Sequence, residues 1–414
     1  MDYDCYLRQI ASALAESTGC TEPSAIALNA ATARKHAVGS LVSVTARLDA
    51  YLFKNAMGVG IPGSDVRGVD MCVALGVTAG DSEAGMNALH TVTPEQLEEA
   101  KALRPKVHVE IAEGISGLYI ETTLTTDRDS VRVITCQAHD NIASIEHAPF
   151  QPFSLTQSQA EASTTLPGSL TDFLLFARTV PLERLSFLQS ALDMNRRVYQ
   201  RAVEDDLVHH VLPSMMLHDD SAYTQAKRMA ASASYARMSG VPLPVMTATG
   251  SGNQGLTLFL TVDAAATAYQ ADEETLLRAL ALANLVNIYI KGYIGPLSSV
   301  CACGVAAGLG ASLGIVYLLG GGEREMLQAA RNILGSVSGM ICDGAKEGCA
   351  SKVSLAAGLA VEAACLAMEG CGIHAQDGIL DDSFDKLIAH LGELVLEGMG
   401  ATNKTIVHIM KDEK

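Results

Sequence analysis

From Gly292 to Gly322 the chain carries no charged residue, and the part reading "SSVCACGVAAGLGASLGIVYLLGGG" is built largely from glycine, alanine and serine. A charge-free run of this length can span a bilayer. Small residues are also what a helix needs where neighbouring backbones must approach closely, and glycine weakens any helix that is not tightly surrounded. The stretch stands alone in the sequence. It therefore predicts a helix buried in a close-packed helical core, with no membrane partner.

Composition agrees with a large packed interior. Of 414 residues, 49% are hydrophobic, enough for a sizeable core without covalent staples. The formal net charge of −17, with no local cluster of lysine and arginine, argues against nucleic acid and anionic membrane surfaces as partners. The start, "MDYDCYLRQI", is acidic and amphipathic and has neither the basic nor the apolar region of a signal peptide, so the cytoplasm is the expected location. Ten cysteines in that compartment are expected to be reduced and to serve as core residues, catalysts or metal ligands. A homodimer is expected from the commonness of two-fold assembly.

The period of the hydrophobic pattern changes along the chain. Leu7, Ile10 and Leu14, then Ile26, Ala27, Ala30 and Ala31, recur at helical spacing on either side of a break at Gly19 and Pro23. Residues 40–53 alternate, with Val42, Val44, Ala46 and Leu48 on one face, and predict a strand. "KVHVEIAE" from Lys106, "GLYIETTLTT" from Gly117 and "SVRVITCQAH" from Ser130 alternate likewise and predict an antiparallel sheet. A helix lies between, with Thr93 as its cap and Pro94 in its first turn. Residues 151–167 are rich in Pro, Ser, Thr and Gln without a period, and read as a linker or crossover. Everything beyond Leu170 is helical in pattern, and no repeat of fixed period is present. The expected architecture is α+β. Residues 1–36 and 168–414 form one large helical catalytic domain, and residues 37–150 form a smaller inserted domain with the sheet.

Four places carry residue types suited to chemistry. In "STGCTEPSAIAL", Ser17 to Leu28, Cys20 stands just before a helix start, where free amides and the helix dipole favour a thiolate over a thiol; a small buried thiol at a helix break is the plainer alternative. Cys301 and Cys303 form a CxC, and Cys342 and Cys349 follow in the glycine-rich "GMICDGAKEGCASK". That spacing fits neither a zinc CxxC pair nor a thioredoxin motif. Scattered thiolates can surround an iron-sulfur cluster, or be core cysteines. "ATGSGNQGLTLFL" places Ser251, Gly252 and Asn253 where bare amides at a helix start can bind a carboxylate, or simply cap the helix. Lys54 and Asn55, ahead of "MGVGIPG", can add an anion contact or be solvated.

Taken together, "STGCTEPSAIAL", "FKNAMGVGIPG", "ATGSGNQG", "YIGPLSSVCACGVAAG", "GMICDGAKEGCASKV" and "EGMGATNKTIVHIM" resemble the L-cysteine desulfidase family, related to the iron-sulfur L-serine dehydratases. The motifs follow that family's order and cover nearly the whole chain. The resemblance implies a [4Fe-4S] enzyme that performs α,β-elimination on a small L-amino acid without pyridoxal phosphate, releasing ammonia, pyruvate and either sulfide or water. It implies Cys342 and Cys349 as two cluster ligands, with Cys301 as the third and Cys303 as its alternative. It makes Cys20 the active-site cysteine that removes the Cα proton. Asn253, with the amides from Gly250 to Gly255, would hold the substrate carboxylate, and Lys352 is a further candidate for that role. Serine dehydratases space the last two cluster cysteines more widely and often end in a tail that enters the site. This chain ends "IMKDEK" without a late cysteine, which favours L-cysteine over L-serine or threonine as substrate. The remaining alternative is a cluster-bearing sensor or a structural zinc protein, and a sensor would carry a basic DNA-binding module that the sequence lacks.

Overall fold

The computed structural model of the chain describes residues 3–18, 21–61, 66–89, 92–112, 114–115, 117–153, 166–216, 218–295 and 298–412. Helix α1 (Tyr3–Ala13) runs into a short strand β1 (Leu14–Thr18), and α2 (Thr21–His36) follows. Strand β2 (Leu41–Leu48), α3 (Ala50–Ala56), α4 (Val69–Ala79) and α5 (Pro94–Leu103) lead to strands β3 (Val107–Ile111), β4 (Tyr119–Thr126), β5 (Ser130–Cys136) and β6 (Ile142–His147). Beyond these the chain is helical: α6 (Leu170–Thr179), α7 (Ser186–Glu204), α8 (Ala222–Met238), α9 (Gly252–Ala268), α10 (Glu273–Ile294), α11 (Gly308–Leu318), α12 (Glu323–Val337), α13 (Cys349–Met368), α14 (Phe384–Glu393) and α15 (Gly400–Asp412). One strand interrupts them, β7 (Pro244–Ala248), which pairs antiparallel with β1, Leu14 opposite Ala248 and Thr18 opposite Pro244. The expectation of helix throughout beyond Leu170 is corrected there, and Leu14 opens a strand where helical spacing had placed it on α1.

The fold is α+β, with a large helical part. The five-stranded sheet runs β3-β2-β4-β5-β6. It is mixed, which refines the antiparallel expectation: β2 pairs antiparallel with β4 but parallel with β3. The reason is the connection, since a tight hairpin can return a strand only antiparallel, whereas the long helical passage through α3, α4 and α5 carries the chain back to the starting edge. Val44, Ala46 and Leu48 are fully buried as the alternation predicts, whereas Val42 is 52% exposed, beside an irregularity in the β2–β4 ladder between Leu41 and Ser43. The strand also ends earlier than residue 53. Asp49 accepts hydrogen bonds from Tyr51 N and Leu52 N and starts α3, so Lys54 and Asn55 are helical residues. The Thr93 cap forms as expected, with Gln96 completing a reciprocal capping box.

Two cores result. Tyr6, Leu7 and Ile10 of α1 join the helical core with residues of α6 through α14. Helix α2 does not follow them: Ala25, Ile26, Ala27, Ala30 and Ala33 pack with the sheet residues and with α4. The grouping of all of residues 1–36 with the helical part is corrected at this helix, whose alanine face is narrow enough to let α4 cross against it. A Cβ on Gly76 would lie 2.5 Å from Ala27 O and 2.8 Å from Ala30 Cβ. Asn29, wholly buried between helix and sheet, donates to Thr135 Oγ1 at 2.8 Å. Of the 151–167 linker, residues 154–165 lie outside the described residues.

The apolar stretch 292–322 is broken after Ile294, and its later part supplies a helix from Cys303 to Leu318 that is buried up to Val316. Among the described residues α13 alone is long and apolar enough to cross a membrane by length and composition. It packs against α8, α11 and α12. Gly76→Ala is expected to lower stability by about 1–3 kcal/mol in urea unfolding, because the added methyl forces α2 and α4 apart. Gly400→Ala, where a Cβ meets no heavy atom within 4 Å, should stay within about 0.5 kcal/mol.

Candidate active site

Two distant segments pair edge to edge. Val300 and Ile341 form an antiparallel bridge, with Cys301 N donating to Met340 O at 2.7 Å and Cys342 N donating to Ser299 O at 2.8 Å. Cys301 and Cys342 thereby come together from positions about forty residues apart in sequence. Directly after the bridge the chain makes a π turn, Cys303–Ala307, a widened turn of the kind often found at functional sites. Gly304 faces Met340 there, and a Cβ would meet its sulfur at 2.9 Å. After Cys342 the loop passes Gly344, whose φ of +95° favours glycine, and closes on Cys349, the first residue of α13. Cys349 Sγ donates to Gly344 O at 3.4 Å.

The four sulfurs influence one another. A hydrogen bond from Cys303 lowers the Cys301 thiol to about 6 against the effect of burial. Cys303, as the donor in that bond and buried among the sulfurs of Cys301, Cys349 and Cys342, is raised. Cys349 is raised to about 11, first by burial and further by Cys301 and Cys342. Cations surround the group. Lys54 is 1% exposed, is lowered by burial, and donates to Cys342 O at 2.8 Å. Lys291 of α10, also buried and lowered to about 8 by burial, donates to Gly295 O at 2.6 Å and faces the sulfurs of Cys342 and Cys303. Lys352 donates to Ile341 O at 2.8 Å and to Asp343; burial opposes its charge, but that pairing leaves it raised. Against the effect of burial, Lys346 and Lys352 hold Asp343 at about 2.

A second wall is made by the turn from β7 into α9. Ser251 caps α9, accepting from Gln254 N at 3.4 Å. Arg237, near the end of α8, donates to Asn253 Oδ1 at 3.2 Å, and Asn287 Nδ2 donates to Thr249 Oγ1 at 3.3 Å. Two glycines of this turn are required by contact. A Cβ on Gly252 would lie 2.4 Å from Arg237 Nε, and one on Gly255 would lie 2.0 Å from Met246 O. The two walls are joined through α8, because Met238 packs with Val59, Ala345 and Cys349.

The structure thus brings Cys301, Cys303, Cys342, Cys349, Lys54 and Lys352 into one neighbourhood. Ser251, Gly252 and Asn253 stand on the adjoining wall. Asn55 donates to Glu22 Oε1 at 3.0 Å, on the first turn of α2. Cys20 lies outside the described residues, between β1 and α2. Sequence reading did not single out Lys291, Arg237 or Asn287. Each is a buried polar residue on a largely apolar or small-residue helix, and a cation in such a run is the signal available for the first two. Cys365 is elsewhere, beside Tyr269 Oη at 3.3 Å.

Among the described residues no three His, Cys, Asp or Glu side chains form a group able to hold a single metal ion. The donor set is soft sulfur, backed by ammonium groups. That chemistry suits an anionic iron-sulfur cluster, in which each thiolate binds a different iron.

The family model described as serine dehydratase alpha chain matches residues 73–408. That range includes the four cysteines and Asn253 but not Cys20, Lys54 or Asn55. Full-length relatives agree. A UPF0597 protein of Clostridium tetani is 34% identical over 401 residues, 95% of this chain and 95% of the relative. UPF0597 proteins of Aeromonas hydrophila and Parabacteroides distasonis are each 37% identical, covering 95% of this chain and 92% and 94% of their own lengths.

Gly255→Ala is expected to push α9 away from β7. Urea unfolding should show a loss of about 1–3 kcal/mol.

Proposed function

The chain belongs to the serine dehydratase alpha chain family, and from that premise we propose that it is a [4Fe-4S] lyase acting on L-cysteine, releasing sulfide, ammonia and pyruvate. The observation that carries the reading is the antiparallel bridge that sets Cys301 beside Cys342, with Cys349 closing the same loop. Cys301, Cys342 and Cys349 are the proposed ligands, with Cys303 the alternative to Cys301. A cluster held by these three thiolates would leave one iron without a protein ligand and would supply Lewis-acid chemistry for the departing sulfur.

The chain's own residues do the rest. Cys20, one residue before α2 in the sequence, is in this reading the base that takes the proton from Cα. The Cα–H electrons form the Cα–Cβ double bond as sulfide departs. The resulting 2-aminoacrylate tautomerises to an imine, which water hydrolyses to pyruvate and ammonia. Asn253 and the amides around Ser251 and Gly252 hold the carboxylate, with Arg237 fixing the Asn253 side chain through its Oδ1. Lys352 and the Lys54–Asn55 turn provide positive charge and polar contact on the facing wall. No pyridoxal phosphate takes part. The same reading places a homodimer in the cytoplasm, acting on free amino acid with no nucleic-acid or membrane partner.

A second reading is dehydration of L-serine or L-threonine at the same site, favoured by the name of the matching family. Water then leaves in place of sulfide, and the proton transfer from Cα is unchanged.

Purification without oxygen should give a brown protein with broad absorbance near roughly 400 nm and about four irons per chain. Sulfide release from L-cysteine, against pyruvate formation from L-serine without sulfide, decides the substrate. A colourless chain that cannot be loaded with iron and sulfide would overturn the reading in favour of a zinc or non-catalytic protein. Cys20→Ala is expected to keep the colour and lower kcat by roughly 100-fold or more, the scale of a lost general base; loss of colour instead would make Cys20 a ligand. Cys301→Ala should bleach the protein and Cys303→Ala should not, and the reverse would transfer the ligand role to Cys303.

A further inference from the structure

We propose that Lys54 is a positioning residue for the cysteine loop: from the α+β part it holds the Cys342 carbonyl and supplies the buried positive charge that balances the thiolate site. The inference rests on the functional reading above and adds to it the part of the molecule on which cluster retention depends.

The argument begins with burial. An ammonium group that is 1% exposed is unfavourable unless charge and hydrogen bonds answer it. The hydrogen bond is to Cys342 O at 2.8 Å, and the Tyr51 ring lies 5.1 Å away. Lys54 faces the thiol group of Cys342 and the carboxylate of Asp343, and also the ammonium groups of Lys352 and Lys346. Asp343 already binds two ammonium groups, Lys346 at 2.7 Å and Lys352. What remains for Lys54 is the sulfur of Cys342.

The rest of the segment around Lys54 fits the same loop. Gly344 lies directly on the last turn of α3, where a Cβ would come within 2.2 Å of Lys54 O. Gly58 pairs with Lys346 in a parallel bridge, and Val59 packs against Ala345 and Cys349. Residues 54–59 therefore grip the loop at both of its cysteines, and no residue of the helical part repeats the Lys54 contact to Cys342 O among the described residues. A group outside the ligand set that orients a ligand and compensates its charge commonly changes metal affinity by roughly 10–100-fold. Removing a positive charge beside an anionic cluster also disfavours the added electron and lowers its midpoint potential.

The test compares wild type, Lys54→Met, Lys54→Gln, Lys54→Arg and Gly344→Ala after anaerobic loading with iron and sulfide. It reads iron per chain, the rate of bleaching by an iron chelator, and the midpoint potential. Lys54→Met and Lys54→Gln are expected to bleach roughly tenfold faster or more and to have a lower potential, while their metal-free forms unfold within a few degrees of wild type. Lys54→Arg should restore most of the iron. Gly344→Ala, which keeps the charge but displaces the loop, should hold less iron without needing any change at Lys54. A loaded wild type whose Lys54→Met and Lys54→Gln variants match it in iron, bleaching rate and potential overturns this inference alone. If Lys54→Met does not fold, Lys54→Gln and Gly344→Ala decide by the same measurements. A wild type that takes up no iron overturns the functional reading as well.

Discussion

The bridge between Val300 and Ile341 is the contact on which the site depends, because it converts two cysteines far apart in sequence into neighbours. Forming it requires the intervening chain to leave and return to the same place. Helices α11 and α12 do this, packed on each other and on α13. The buried helix from Cys303 to Leu318 is therefore the closing element of a loop whose two ends carry sulfur. Its lack of charge follows from that position.

Close approach of backbones sets the distances elsewhere. A Cβ on Gly310 would lie 2.6 Å from Ala283 O, and one on Gly314 would lie 3.1 Å from Ala279 O. These glycines let α11 lie directly on α10, the helix that carries Lys291 to the sulfurs. A bulkier pair of faces would separate the helices, weakening dispersion attraction across the gap and displacing the buried ammonium with α10. Packing and electrostatics are in this sense one constraint.

Local pattern made much of this legible. Alternation located β2 to β5, the Thr93 cap located α5, and the glycine turn before Leu256 located the start of α9. The cysteines stood out by type and spacing. Pairings between distant segments were not legible. Nothing near Leu14 announces its bond to Ala248, and nothing near Val107 says that β3 will pair parallel with β2. The roles of Lys54 and Lys352 were hidden for the same reason, since a lysine in sequence does not show whether it meets solvent or a carbonyl. Val42 departed from the pattern because it sits beside an irregular ladder, where period-two alternation no longer reports burial.

The distribution of charge explains why net charge says little about the site. The chain carries −17 overall, yet Lys54, Lys291 and Arg237 are each less than 10% exposed. Acidic side chains on the surface are solvated and screened within about 8–10 Å at ordinary ionic strength. The interior cations are not. Backbone carbonyls at Cys342 and Gly295 and the amide oxygen of Asn253 satisfy part of their hydrogen-bonding capacity. That positive charge is directed at the sulfurs on one wall and at the α9 turn on the other. An acidic exterior and buried cations beside the cysteines and the α9 turn are thus compatible, even though Asp49, Glu121 and Asp263 are buried elsewhere, and it is those local cations that favour thiolate ligands and a substrate carboxylate.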